Sequence, residues 1–195
     1  MGGWVDDRLM HLLAAHRSEW ATGAARTLMW IGTSPTALAT VALLAVVVVV
    51  ATRAYRQAGA VVLAVVTADV VARLLKEIID RSRPPSDLAL VHLGGASMPS
   101  THAALTSAAA TALLLATTLR STRARFLWAL ILAAGTAVVG VCMVYLGGHW
   151  PTDIVAGWTL GTTFGAGAGL LCRGPRAGQR GDQSPGRRDE QPQGS

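Results

Sequence analysis

The strongest constraint on this chain is a series of long apolar runs that carry few charges. The clearest is VALLAVVVVVA at residues 41–51. An apolar helix of about 20 residues crosses roughly 30 Å of hydrocarbon. We predict five such spans at about 35–52, 58–79, 100–119, 126–146 and 153–172. Because backbone groups that face lipid must satisfy their own hydrogen bonds, we expect an all-α, polytopic membrane helical bundle.

Composition supports a single membrane domain and disfavours nucleic acid as a partner. The chain has 195 residues, of which 51% are hydrophobic and 14% are charged, and its formal net charge is +6. The arginines lie mostly between and after the predicted spans, as in ordinary membrane proteins, so membrane lipids are the expected surroundings. Cys142 and Cys172 lie in apolar segments without metal-ligand spacing, which is typical of reduced packing residues.

Two flanking segments differ from the membrane domain at 31–172. Residues 1–30 lack the basic leader and apolar core of a cleaved signal peptide. They are predicted to form an interfacial amphipathic segment, with apolar residues on one side of a helix: Leu9, Leu12, Leu13 and Trp20. Residues 173–195 are polar and rich in Gly, Pro and Arg, which predicts a disordered, basic, cytoplasmic tail.

The distribution of arginine predicts the orientation in the cell (plasma) membrane. Basic clusters follow the first, third and fifth predicted spans: Arg53 and Arg56; Arg120, Arg123 and Arg125; Arg173, Arg176 and Arg180. If all three are cytoplasmic, the chain obeys the positive-inside rule. The segments KEIIDRSRPP (76–85), MPSTH (98–102) and GGHWPTD (147–153) then share the face outside the cytoplasm.

Together these three segments carry the residue types that phosphoryl transfer requires. They hold the cations Lys76, Arg81 and Arg83, the imidazoles His102 and His149, the carboxylate Asp153 and the hydroxyls Ser100 and Thr101. Cations neutralise phosphate oxygens, while one imidazole attacks phosphorus and the other protonates the leaving oxygen. Ser100 and Thr101 are expected to form a helix N-terminus, which favours an anion. Asp153, four residues after His149, is expected to orient its ring.

These residues resemble the signatures of the phosphatidic acid phosphatase type 2 superfamily, membrane lipid phosphatases related to vanadium haloperoxidases. The family signatures are KxxxxxxRP, PSGH and SRxxxxxHxxxD. KEIIDRSRP supplies Lys76, Arg83 and Pro84, PSTH supplies Ser100 and His102, and CMVYLGGHWPTD supplies His149 and Asp153. All three occur in order at predicted span edges, over about residues 30–172.

The resemblance assigns a role to each matching residue. It implies that His149 is the nucleophile that forms a phosphohistidine and that His102 is the general acid. It implies that Lys76, Arg83 and Ser100, with Thr101 at the family's glycine position, hold the phosphate, and that Asp153 orients His149. It further implies no metal and no cofactor. The implied substrate is a phosphorylated lipid of the phosphatidate, phosphatidylglycerol phosphate or polyprenyl phosphate type.

The third signature departs from the family, because Cys142 and Met143 replace its Ser-Arg pair. Loss of one desolvated cation from the transition state costs roughly 3–4 kcal/mol, or two to three decades in rate, by analogy with an oxyanion-hole donor. Arg81 is a candidate substitute cation, and Met143→Arg is expected to raise the activity. The alternative is a catalytically weak or inactive pseudoenzyme that binds a phospholipid phosphate. Retention of His102, His149 and Asp153 favours the enzyme.

Overall fold

The computed structural model describes residues 3–172, and these residues form seven helices with no strand. The helices are α1 (Trp4–Ala15), α2 (Glu19–Thr33), α3 (Pro35–Thr52), α4 (Tyr55–Ile79), α5 (Thr101–Ala116), α6 (Thr122–Tyr145) and α7 (Pro151–Leu171). By length and composition, α3, α4, α6 and α7 can each cross a membrane, and α5 is a shorter apolar helix. The prediction of an all-α, multi-pass membrane bundle is therefore confirmed.

The predicted spans correspond to α3 through α7, and the largest difference lies at the start of α6, four residues before the predicted 126. The end of α5 differs as well. This helix stops at Ala116, three residues before the predicted end, and Thr117 is its C-cap. The next helix already begins after Ser121, whose hydroxyl accepts a hydrogen bond from the Ala124 N–H. At 1.5 Å per residue, the 16 residues of α5 extend about 24 Å.

The N-terminal segment, predicted as one interfacial unit, forms the two helices α1 and α2. Arg17, in the turn between the two helices, donates hydrogen bonds to the carbonyls of Leu88 (2.7 Å) and Tyr145 (2.9 Å). These bonds attach the turn to the membrane bundle. Leu9 and Leu12 are exposed, whereas Asp6 and Met10 are buried against the bundle. One face of α1 is thus part of the protein interior, which hydrophobic patterning did not reveal. The predicted tail, 173–195, lies outside the described residues.

Small residues bring the central helices α5 and α7 close together. The buried face of α7 carries glycine at every fourth position: Gly157, Gly161, Gly165 and Gly169. A Cβ at Gly165 would lie 2.6 Å from the Ala108 carbonyl oxygen, so the two backbones are in direct contact there. A Cβ at Gly161 or at Gly169 would likewise meet backbone or side-chain atoms of α5. The close approach places the N-termini of α5 and α7 side by side.

The long loop between α4 and α5 folds over the end of the bundle where α4 and α6 stop. The hydroxyl of Ser97 donates to the carbonyls of Arg81 and Ser82, each at 3.1 Å, which closes the loop on itself. The Leu90 N–H donates to the Leu146 carbonyl at 2.8 Å, which ties the loop to the turn after α6. All three polar segments singled out in the sequence therefore meet at one end of the bundle.

Candidate active site

His149 lies at the centre of this end, in the turn between α6 and α7, and only 2% of it is exposed. Its Nδ1 lies 3.4 Å from Oδ2 of Asp153, and its Nε2 lies 3.5 Å from Nη1 of Arg83. The two ring nitrogens therefore face a carboxylate on one side and a cation on the other. Burial lowers the pKa of His149, and this outweighs the opposing effect of Asp153. The imidazole is thus biased toward its neutral, nucleophilic form.

Asp153 is fully buried in the first turn of α7, three residues after the N-cap Trp150. Its Oδ2 accepts a 2.9 Å hydrogen bond from the Trp150 N–H and also faces His149. The other oxygen, Oδ1, accepts a 2.6 Å hydrogen bond from Arg81. Each oxygen therefore has a fixed donor, and the carboxylate is immobilised beside the imidazole, as the four-residue spacing predicted.

The two cations of the first signature are held by backbone carbonyls. Arg83 donates to the carbonyl of Gly148 at 2.7 Å and to that of Gly95 at 3.0 Å. Lys76 donates through Nζ to the Ala96 carbonyl at 2.8 Å. An ammonium has three donors and a guanidinium five. Both groups are thus oriented before a ligand arrives. Lys76 keeps one N–H for a phosphate oxygen, whereas all three nitrogens of Arg83 already contact backbone carbonyls, so Arg83 contributes mainly positive charge.

The second signature forms the N-terminus of α5. Ser100 is its N-cap, and the Ser100 N–H donates a 3.0 Å hydrogen bond to the Asp153 carbonyl. The Ser100 N–H is therefore not free to bind phosphate, which corrects the expectation from the sequence. The Ser100 hydroxyl accepts a hydrogen bond from the Ala103 N–H at 3.5 Å and can still donate its own proton to a ligand. Thr101 and His102 follow in the first turn, where backbone N–H groups lack intrahelical partners. His102 is partly buried in this turn and lines a cavity together with Met143.

Arg81 does not have the position of the predicted substitute cation. Its Nη1 pairs with Asp153 at 2.6 Å and its Nη2 pairs with Asp6 at 2.5 Å, while its side chain is only 13% exposed. Two carboxylates therefore take up its charge, which corrects the prediction of a free phosphate-binding guanidinium. Arg73, three residues before Lys76 on α4, pairs with Asp69 of the same helix at 2.8 Å.

Met143 lies in an apolar environment and is 3% exposed. It belongs to a buried cluster with Met10, Leu88, Ala103, Val144, Trp150 and Ile154. It also lines, together with His102, a cavity of about 250 Å³ between α2, α5 and α6. An arginine at this position would bury an unpaired cation among apolar side chains. The structure therefore gives no support to the expectation that Met143→Arg raises activity.

Sequence reasoning missed Asp6. It is 1% exposed, and its carboxylate accepts hydrogen bonds from Arg81, from the Thr152 hydroxyl at 2.6 Å and from the Thr152 N–H at 3.1 Å. The only signal in the sequence is an acidic residue near the start of a helix, which is common on exposed helices. Its partners are distant in sequence, so no local pattern could identify it.

Known proteins share this fold and part of this sequence. The sequence profile of the PAP2 superfamily matches residues 57–172. An undecaprenyl-diphosphatase of Sulfolobus acidocaldarius is 39% identical over 66 residues, which cover 34% of this chain and 29% of the relative. The chain thus matches less than a third of that relative's length.

Two solved structures have a similar fold. The first transmembrane PAP2 type phosphatidylglycerolphosphate phosphatase, from Bacillus subtilis, superposes with a TM-score of 0.68 at 24% identity, covering 84% of this chain and 82% of that one. LpxE of Aquifex aeolicus superposes with a TM-score of 0.67 at 21% identity, covering 83% of this chain and 92% of that one. At these identities the similarity supports the fold and not a particular substrate.

Proposed function

This chain belongs to the PAP2 superfamily, and on that premise we propose that it hydrolyses a phosphomonoester or diphosphate of a lipid. The observation that carries the proposal is the placement of the His149 ring between Asp153 and Arg83. One ring nitrogen is oriented by a buried carboxylate, and the other is presented beside a cation that can hold phosphate. This is the arrangement that a nucleophilic imidazole requires.

The reaction proceeds in two steps. Nε2 of His149 attacks phosphorus, the bond from phosphorus to the leaving oxygen breaks, and His102 donates its proton to that oxygen. Asp153 stabilises the imidazolium that forms as the N–P bond is made. Water, deprotonated by His102, then attacks the phosphohistidine, releasing phosphate and restoring neutral His149 and protonated His102.

Positive charge for the transferred phosphoryl group comes from the protein. Lys76 and Arg83 neutralise its oxygens, and the Ser100 hydroxyl and the N–H groups at Thr101 and His102 add donors. These side chains supply the charge that a metal ion provides in other phosphatases, so we propose a metal-independent reaction. Chelation with EDTA should leave the rate unchanged, and a loss that Mg²⁺ or Zn²⁺ restores would contradict this part of the proposal.

A lipid as the leaving group is supported by the cavity beside His102. Its lining includes Leu28 and Met29 of α2, Leu105 of α5, and Val139 and Met143 of α6. The residue proposed to protonate the leaving oxygen therefore borders a space suited to an apolar chain. The undecaprenyl-diphosphatase relative favours a polyprenyl diphosphate within the substrate classes considered.

We propose that the site faces outside the cytoplasm. Arg53 and Arg56 lie at the α3–α4 junction, and Arg120 lies at the α5–α6 junction, both at the end of the bundle opposite the site. A cysteine at the exposed Ser86 should react with a membrane-impermeant maleimide in intact cells. A cysteine at the exposed Ser121 should not react, and the reverse pattern would overturn the orientation.

Phosphate release from purified protein tests the function. The protein in detergent is given phosphatidate, phosphatidylglycerol phosphate, and undecaprenyl phosphate and diphosphate, and free phosphate is measured. We expect release from at least one lipid, abolished in His149→Ala and retained in His92→Ala, which removes an exposed histidine of the loop at 80–99. Binding of a lipid without release above the His149→Ala background would instead support the pseudoenzyme.

A further inference from the structure

A buried carboxylate from outside the family-matched region reaches the candidate active site. Asp6, on α1, is 1% exposed, although most of α1 is open. Burial raises the pKa of Asp6, but hydrogen bonds from Thr152 and Arg81 outweigh it and hold the pKa below its ordinary value. The carboxylate is therefore ionised and firmly bound where it lies.

Arg81 connects Asp6 to the carboxylate that orients His149. Its Nη2 lies 2.5 Å from Oδ2 of Asp6, and its Nη1 lies 2.6 Å from Oδ1 of Asp153. Nη1 also donates to the Thr152 hydroxyl at 2.7 Å, and the guanidinium lies 5.5 Å from the centroid of a Trp150 ring. Such a planar group, bound on two sides and stacked on an aromatic ring, has little freedom to rotate.

The alternative role for Arg81, as a phosphate ligand, conflicts with these contacts. Both terminal nitrogens already pair with buried carboxylates, and freeing one would leave Asp6 or Asp153 without its charged partner. The packing of α1 also supports a structural role for these contacts. Met10, one turn after Asp6, is fully buried in the cluster that contains Trp150 and Met143. The N-terminal helix is thus built into the wall of the site.

We propose that Asp6 and Arg81 are positioning residues, through which helix α1 fixes the Asp153 carboxylate against His149. The chain of contacts runs from Asp6 to Arg81, from Arg81 to one oxygen of Asp153, and from the other oxygen to His149 Nδ1. This inference rests on the proposed function for its catalytic consequence, although the geometry itself is independent of turnover. The segment before the family-matched region is then required for catalysis, besides anchoring the protein.

The first test compares Asp6→Asn with Asp7→Asn, the same change at the exposed neighbour on α1. We expect Asp6→Asn to lower kcat about 10- to 100-fold, by analogy with the residues that orient metal-binding histidines through a hydrogen bond to the second ring nitrogen. KM should be nearly unchanged, because the phosphate ligands are untouched. Asp6→Glu should recover part of kcat, and Asp7→Asn should match wild type.

A double-variant cycle tests whether Asp6 acts through Arg81. In an Arg81→Met background, the further change Asp6→Asn should have much less effect on kcat than it has alone. Full additivity of the two losses would overturn the relay. If Asp6→Asn does not yield folded protein in detergent, Thr152→Val replaces it in the test. This change removes a hydroxyl that is hydrogen-bonded to both Asp6 and Arg81. It should lower kcat by a smaller factor and leave KM unchanged.

A measurement that needs no turnover separates this inference from the proposed function. The His149 ring is titrated by NMR on ¹⁵N-histidine-labelled protein and is assigned through His149→Ala. The charges around it are Lys76, Arg83, His102 and Asp153. Asp6→Asn removes one negative charge behind Asp153, so the pKa of His149 should fall, whereas Asp7→Asn should leave it unchanged.

The outcomes are distinct. A shifted titration in a protein that releases no phosphate would refute the proposed function and retain the positioning role. Phosphatase activity with kcat and the His149 titration unaltered in Asp6→Asn would retain the function and overturn the positioning role.

Discussion

At the residue scale, the chemistry depends on His149 having two different neighbours. A carboxylate faces Nδ1 and a guanidinium faces Nε2, so the ring has one side for orientation and one for attack. The sequence spacing predicted the first neighbour, because Asp153 follows by four residues. Arg83, 66 residues earlier, was brought to the ring by the loop between α4 and α5.

The protonation state of His149 leads to a pH prediction. Burial lowers its pKa below the ordinary value of 6.5, and only the neutral ring can attack phosphorus. The neutral form therefore persists below pH 6.5, and the acid limb of a plot of kcat/KM against pH should have its midpoint below that value.

The variant Asp153→Asn should move this midpoint further. Loss of the carboxylate removes the interaction that raises the pKa of His149, so the acid limb should shift to lower pH. The value of kcat should fall by at least two decades, by analogy with the orienting aspartate of a serine protease triad. A limb that shifts to higher pH would show that Asp153 does not stabilise the imidazolium. His92→Ala, at an exposed histidine, is the matched control and should keep the wild-type profile.

At the element scale, the contact between α5 and α7 sets the position of the site. A Cβ at Gly161 would clash with the Ala104 carbonyl and the Ser107 hydroxyl, whereas a Cβ at Gly167 meets nothing within 4 Å. We expect Gly161→Ala to lower the free energy of unfolding by about 1–3 kcal/mol. Gly167→Ala should leave it unchanged or raise it slightly, because alanine favours helix.

Equilibrium unfolding in mixed detergent measures both variants. Gly161→Ala should also reduce kcat, because separating the helices stretches the hydrogen bond from the Ser100 N–H to the Asp153 carbonyl. Equal stability of the two variants would show that close packing of α5 on α7 is not needed.

The elements were largely predictable and their edges were not. The apolar runs predicted the spans because a backbone in lipid can satisfy its hydrogen bonds only within a helix or a closed barrel. Helix α3 begins and ends at the residues predicted from the run around VALLAVVVVVA. The end of α5 was predicted three residues too late, since the helix ends at Ala116, before the polar segment at 120–125 begins. The division into α1 and α2 follows from the hydrogen bonds of Arg17 to distant carbonyls, which no local pattern encodes.

At the scale of the whole molecule, alternating spans accounted for most of the site. Once α4 to α7 alternate in direction, Lys76, His102 and His149 must come to the same end of the bundle. Side-chain directions could not be obtained this way. Arg81 proved to pair with Asp6 and Asp153, and the Ser100 N–H proved to be taken by a carbonyl. Both outcomes depend on contacts between segments far apart in sequence.

The departure at Met143 also acquires a meaning only in the whole molecule. In the sequence it is a missing arginine, and in the structure it belongs to an apolar cluster that joins α1, α6 and α7. It also borders the cavity next to His102. Loss of the cation is therefore accompanied by an apolar wall beside the group proposed to protonate the leaving alcohol.

The central claim is that Nε2 of His149 becomes covalently phosphorylated, and rapid quenching tests it most directly. Protein is mixed with a lipid labelled with ³²P in its terminal phosphate, denatured within milliseconds in alkaline detergent, where an N–P bond survives, and digested for mass spectrometry. The account predicts label on the peptide that contains His149, none in His149→Ala, and formation and decay at rates compatible with turnover. Turnover without label on His149, or label on another residue, would contradict it.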